Sequence, residues 1–409
     1  MSPDPAAPDI GAGLRPAGQD QANSPTHVDT LDGVRALAAV AILLYHVAMQ
    51  TGAALQDGIA GALLSRLDVA VPIFFVLSGL LLYRPWAVAA LHDEPSPRLG
   101  RYLLRRALRI LPLYWIVVVV AVIGWSRDHA SDPRTWGELL SLTQNYDTSP
   151  WWNSTGPPGL MQMWSLSVEA AFYLTLPLMA LLLTRMSRTG QDATARAKRQ
   201  LIGLGGFVLA SFAWTLVQFS SVGSGYMQLW LPRYWVYFAA GMALAVVSTW
   251  MHTAHEDIRL LLARRWWVCW LVAAVAYAVA ATPLTGGRYV RVLNLTTSLL
   301  QQILYSVTAI GLVAPAALLP PGPGIVQRLL GNPVMGYIGR ISYGIFLWQF
   351  IAIDTWYGLT GQKMWTGGLA TNFAAVAGLT GLYAFVSYQL AEEPIQRRRD
   401  RMLQAFTTR

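Results

Sequence analysis

The chain has 409 residues, 54% of them hydrophobic and only 12% charged, and its thirty Lys and Arg outweigh twenty-one Asp and Glu to give a net charge of +9. Apolar runs recur from residue 32 to residue 390 without a long polar interval, which leaves no room for a separate soluble catalytic module and predicts one membrane domain. The basic residues sit in short loops between those runs, so the charge reads as a topology signal and nucleic acid is not an expected partner.

Residues 1–30 hold Pro, Ala, Gly, Asp and Gln with no apolar block, and are expected to form a disordered cytoplasmic tail. The membrane domain then runs over 31–396, followed by a basic cytoplasmic tail at 397–409. At about 20 apolar residues per crossing, the pattern predicts an all-α polytopic bundle of about ten transmembrane helices. They fall near 32–52, 69–90, 107–125, 164–184, 201–220, 229–250, 266–282, 292–318, 336–357 and 366–390. An N-terminus inside puts most of the thirty Lys and Arg on the cytoplasmic side, so both termini are expected there.

The first span reads Leu31-Asp-Gly-Val-Arg35-Ala-Leu-Ala-Ala-Val-Ala-Ile-Leu-Leu-Tyr-His46. At about 100° per residue, eleven steps bring His46 back to within about 20° of Arg35, roughly 16 Å further along the same face. A cation and an imidazole on one apolar helix are costly in lipid, and they belong where they face a protein interior or a wet cavity. The plainer alternative is that His46 hydrogen-bonds a neighbouring helix. In the second span, Ser78 and Gly79 interrupt the bulky run Pro72-Ile-Phe-Phe-Val-Leu and permit close helix approach.

Ahead of the third span stand Arg98, Arg101, Arg105, Arg106 and Arg109, and further clusters lie at 185–199, 259–265 and 397–401. Each is an orientation signal in contact with anionic membrane lipids. Arg105 and Arg109, four residues apart on one face at the membrane boundary, have in addition the guanidinium forks that hold phosphates. The loop over 126–163 carries Trp136, Trp151 and Trp152 among several Pro and Gly. Its aromatic residues are either interfacial anchors or an acceptor platform.

Span four opens with Trp164-Ser-Leu-Ser-Val-Glu169-Ala-Ala-Phe-Tyr173, a carboxylate just inside a helix start. The helix dipole favours it there, and a buried carboxylate needs a partner, for which an Arg or His of another span is available. Cys269 is alone, so no intrachain disulfide exists, and its apolar setting marks it as a small core residue. Span nine contains Ile341-Ser-Tyr-Gly-Ile-Phe-Leu-Trp-Gln349. There is no Gly-rich phosphate loop, no His-Glu-x-x-His and no Cys/His cluster, so a metal-free mechanism is the simpler expectation.

Taken together, Arg35-x10-His46, Phe74-Phe75-x-x-Ser78-Gly79, Arg105-Arg106-x-x-Arg109-x-x-Pro112, Trp164-Ser165-Leu166-x-x-Glu169-x-x-Phe172-Tyr173 and Glu393-Pro394 resemble the five ordered motifs of the acyltransferase 3 family of integral membrane O-acyltransferases. The likeness runs from about residue 31 to residue 396. Two positions depart from it: Leu80 replaces a common aromatic, and Gln349 stands where many members carry a second histidine.

The resemblance implies transfer of an acyl group, often acetyl, from acyl-CoA as co-substrate, with no bound cofactor, to a hydroxyl of a carbohydrate, glycolipid or glycosylated natural product. A narrower likeness points to compact actinobacterial members that acylate macrolide sugars. On this reading His46 is the general base, with imidazole titrating in the range such work needs. Arg35 and the Arg105, Arg106, Arg109 group bind the donor, Glu169 pairs with a cation or holds the acceptor, and Ser78, Trp164 and Tyr173 line or pack the site. The rival from another class is a transporter or flippase for an amphipathic solute, which would show an internal repeat. The Arg-x10-His face has no counterpart near the middle of the chain.

Overall fold

The computed structural model describes residues 25–152, 154–254, 264–288, 294–319, 324–395 and 398. Among them there is no strand, and the chain is a multi-pass membrane helical bundle. Eight stretches are long and apolar enough to cross a bilayer: Thr30–Gln50, Ile59–His92, Leu99–Trp125, Met163–Ser187, Ala193–Gln218, Gly225–His252, Leu295–Leu318 and Leu369–Ile395. The two remaining expected spans also fall on helices. Span seven is the 15-residue Trp266–Ala280, short for a crossing, and span nine lies in the 28-residue Pro333–Thr360, which carries both Arg340 and Asp354.

In chain order the α-helices are α1 (Pro25–Gln50), α2 (Ile59–Leu64), α3 (Ala70–His92), α4 (Leu99–Trp125), α5 (Pro133–Leu140), α6 (Met163–Ser187), α7 (Ala193–Gln218), α8 (Leu231–Ala254), α9 (Trp266–Ala280), α10 (Leu295–Leu318), α11 (Ile325–Leu330), α12 (Pro333–Thr360) and α13 (Leu369–Ser387). α1 starts at Pro25, inside the segment expected to be tail; residues 1–24, most of the 397–409 tail and most of the 259–265 cluster lie outside the described residues. Helix starts follow local sequence chemistry. Asp132 and Asn332 cap α5 and α12, each followed by Pro at the first helical position, and Asn294 caps α10 with Thr297 answering in a capping box.

α1 is the axle of the bundle. Leu31, Val34, Ala38 and Ile42 join the main core with α3, α4, α6, α8 and α10, while Ala39, Leu43 and Val47 pack into a second core with α12 and α13. α3 and α8 are brought into backbone contact by reciprocal notches. A Cβ at Gly79 would meet the Phe238 carbonyl oxygen at 2.2 Å, and one at Gly241 would meet that of Val76 at 2.0 Å. Small residues at such crossings are how helices associate where lipid supplies no hydrophobic drive. That approach turns the face of α3 bearing Ser78 towards α6.

Candidate active site

α1, α3, α4, α6 and α12 line a partly open cavity of about 130 Å³. Its walls are mostly apolar, with Ile42, Phe74, Leu81 and Phe346 among them, and its charged residues are Arg35, Arg106, Arg109 and Glu169. Three guanidiniums facing one carboxylate in a wall of aliphatic and aromatic side chains suit a ligand with an anionic end and an apolar arm.

Three of the four charges have a local partner. Arg35 Nη1 donates to Asp32 Oδ1 at 2.9 Å, one turn back along α1. Glu169 Oε1 accepts from Tyr173 Oη at 2.7 Å, again one turn along its own helix, and from Ser78 Oγ across the α3–α6 interface. Arg109 Nη1 lies 4.0 Å from Glu392 Oε2, in the π-turn Tyr388–Glu392 that follows α13. Arg106 Nε is buried beside the cavity with no hydrogen-bond partner among the described residues.

The cavity therefore gathers Arg35, Arg106, Arg109, Glu169, Ser78 and Tyr173 out of the residues the sequence singled out. Three others lie elsewhere. Arg105 is exposed, because the cavity meets the i,i+3 pair Arg106 and Arg109 and the 105 position points off that face. Trp164 packs its ring against Tyr234 at 5.4 Å, and its carbonyl accepts from Asn145 Nδ2 at 2.8 Å.

His46 is the third, and its place is informative. Ile42, seven residues from Arg35 and four from His46 on the same face, lines the cavity. His46 sits one helical turn beyond it, about 6 Å along the axis. There its ring lies 4.5 Å from that of Phe350 and 5.2 Å from that of Tyr45, and Nδ1 is 2.9 Å from Gln349 Oε1. His46 as a residue is half-buried. The face predicted from the eleven-residue spacing is thus a real one, with its arginine in the cavity and its histidine just past the inner wall.

Asp32 and Glu392 were not singled out from the sequence. The signal for Asp32 was its three-residue spacing from Arg35; for Glu392 it was a second acid beside Glu393 at the end of an apolar span. The tryptophans of the 126–163 loop are spent on the loop's own structure. Trp151 stacks on His129 at 3.7 Å and donates to Thr135 Oγ1, Trp136 donates to the Ala130 carbonyl, and Trp152 is buried. Among the described residues no group of three or more His, Cys, Asp or Glu is placed to hold a metal ion.

The family model described as an acyltransferase domain matches residues 28–390. The chain is 27% identical over 373 residues to exopolysaccharide production protein ExoZ of Rhizobium meliloti, covering 87% of this chain and 95% of that protein. It is 23% identical over 411 residues to nodulation protein 10 of Rhizobium leguminosarum bv. viciae, covering 93% and 97%. With a peptidoglycan O-acetyltransferase of Listeria monocytogenes it shares 30% identity over 167 residues, 37% of this chain, and it spans about a quarter of that relative's length. No solved structure matches.

Proposed function

The chain belongs to the acyltransferase 3 family, and on that premise we propose that it is a membrane-bound O-acyltransferase moving an acyl group, acetyl first among them, from acyl-CoA to a carbohydrate hydroxyl. The observation that carries this reading is the cavity in which Arg35, Arg106, Arg109 and Glu169 converge one turn short of His46. Two whole-length relatives bear names from exopolysaccharide production and nodulation, and a third is a peptidoglycan O-acetyltransferase, which supports a glycan acceptor.

The guanidiniums bind the donor's phosphates, since planar forks match phosphate oxygens and stay charged at any working pH. The apolar wall takes the pantetheine arm and directs the thioester towards His46. His46 Nε2 accepts the proton of the acceptor hydroxyl as its oxygen attacks the thioester carbonyl. The tetrahedral intermediate then collapses, the carbon–sulfur bond breaks, and the departing thiolate takes the proton from the imidazolium, leaving an ester and free CoA. General-base help of this kind is worth about 10²–10⁴ in rate. The excess of Lys and Arg in the loops supports a topology with both termini, and the Arg106–Arg109 end of the cavity, on the cytoplasmic side, where acyl-CoA would be met.

The test is transfer from radiolabelled acetyl-CoA by the purified protein in detergent, against peptidoglycan fragments, exopolysaccharide oligosaccharides and glycosylated small molecules. Labelled ester on a glycan, lost in a folded His46→Ala protein, is the expected result. Full transfer by that variant would remove the base assignment. Failure with every acceptor, together with solute counterflow in liposomes, would remove the enzyme reading.

A further inference from the structure

We propose that Gln349 is a positioning residue for His46: it holds the imidazole in one tautomer, with the proton on Nδ1 and the lone pair on Nε2. The proposal rests on the reading of His46 as the base and adds what makes that nitrogen available.

The argument is one of donors and acceptors. Gln349 is fully buried, so no bulk water completes its hydrogen bonds. Its Nε2 lies 3.0 Å from the backbone carbonyl oxygen of Phe346, three residues back on α12. A carbonyl accepts only, so the amide nitrogen must be the atom on that side, and the orientation of the side chain follows. Oε1 is then the atom turned to His46, 2.9 Å from Nδ1. An amide oxygen accepts only as well, which requires Nδ1 to carry the proton. A neutral imidazole has one N–H, so Nε2 is left bare and able to take a proton from a hydroxyl.

The other tautomer would set two lone pairs against each other, one of them on the fully buried Gln349. Phe350 and Tyr45, at 4.5 and 5.2 Å from the ring, restrict the tilt that would relieve it. The orienting group is an amide and carries no charge. It therefore selects a tautomer and a ring angle without adding a counter-ion for the imidazolium, unlike a carboxylate in the same place.

Purified protein labelled with ¹⁵N-histidine, with the His46 signals assigned by difference against His46→Asn, tests the tautomer directly and needs no acceptor. The expected spectrum shows a protonated Nδ1 and a bare Nε2; the reverse pattern in the parent protein overturns the proposal. Gln349→Leu keeps much of the volume and removes the acceptor. It should mix the two tautomers and lower kcat about 10–100-fold with the KM for acetyl-CoA held within about twofold. Gln349→Glu, which restores an acceptor at the same reach, should recover part of that loss. Full kcat in Gln349→Leu beside an inactive His46→Ala overturns the positioning role and leaves the base intact. Full activity in a folded His46→Ala overturns the base itself.

Discussion

Arg109 faces two ways: its guanidinium lines the charged cavity, and its Nη1 lies 4.0 Å from the buried carboxylate of Glu392, beside a small pocket formed with Pro112 and Ile395. Neither oxygen of Glu392 has a hydrogen-bond partner among the described residues, so this contact is what sets the acid's local charge balance. Neutralising it should leave Arg109 less firmly held. Glu392→Gln is expected to raise the KM for acetyl-CoA by roughly three- to tenfold with kcat little changed, and an Arg109→Gln/Glu392→Gln protein should be no worse than Arg109→Gln alone. Equal KM values for Glu392→Gln and the parent would show that the π-turn plays no part in donor binding.

Arg35 and Arg106 should also act on donor affinity. A charge-assisted hydrogen bond is worth about 1.5–3 kcal/mol, and 1.4 kcal/mol is tenfold in binding. Arg35→Gln and Arg106→Gln should therefore each weaken acetyl-CoA binding by about 10–100-fold, read by titration calorimetry on detergent-purified protein. Unchanged binding in both would place the donor elsewhere.

Glu169 takes hydrogen bonds from Tyr173, one turn on along α6, and from Ser78, and the second of these joins α6 to α3. Tyr173→Phe removes one donor to a carboxylate and should cost about 1–3 kcal/mol, seen as a lower Tm. Adding Ser78→Ala should lower it further. If the double variant melts with the parent protein, Glu169 is held by something other than these two hydroxyls.

Gly241 and Gly378 should respond to the same substitution with opposite signs. A methyl at Gly241 collides with the Val76 carbonyl, so Gly241→Ala must push α3 and α8 apart and should leave little monodisperse protein on size exclusion in detergent. A Cβ at Gly378 meets nothing within 4 Å, and Gly378→Ala should be neutral or stabilising by up to about 1 kcal/mol. Equal yields of the two variants would show that the α3–α8 contact tolerates separation.

The α5 cap depends on pH. The Thr135 hydroxyl, and after it the backbone N–H of Arg134, hold the Asp132 carboxyl below the usual carboxylate range. Its contribution is thus present above the carboxyl's ordinary unfolded pKa and is lost as pH falls through the lower folded value. Amide exchange over 137–140, corrected for its intrinsic pH dependence, should quicken in that window. Asp132→Asn keeps a capping oxygen without a titrating charge and should abolish the step.

The membrane bundle was legible in one dimension because hydropathy depends only on local composition, and all ten expected intervals fall on helices. The shared face of Arg35 and His46 was legible for a related reason: helical geometry relates residues along a single element. The same local logic placed Glu169 near a helix start but looked to an Arg or His of another span for its partner, where the structure supplies the Tyr173 and Ser78 hydroxyls. What it cannot supply is which face of one helix meets which face of another.

That pairing set the working parts of the site. Ser78 read as a packing residue, and the close approach of α3 and α8 presents it to Glu169 of α6. Arg105 and Arg109 read as the phosphate pair, and the rotation of α4 sends Arg106 inward in place of Arg105. Gln349 read only as a departure from a histidine, yet it lies 303 positions from His46 and touches its ring nitrogen. Glu392 reaches Arg109 across a similar span of chain. Hydrophobic periodicity and short-range spacing carry no information about such distant partners. They are chosen by how glycine notches and side-chain volumes let whole helices dock, and so only the packed bundle brings His46, Gln349 and the guanidinium-lined cavity together.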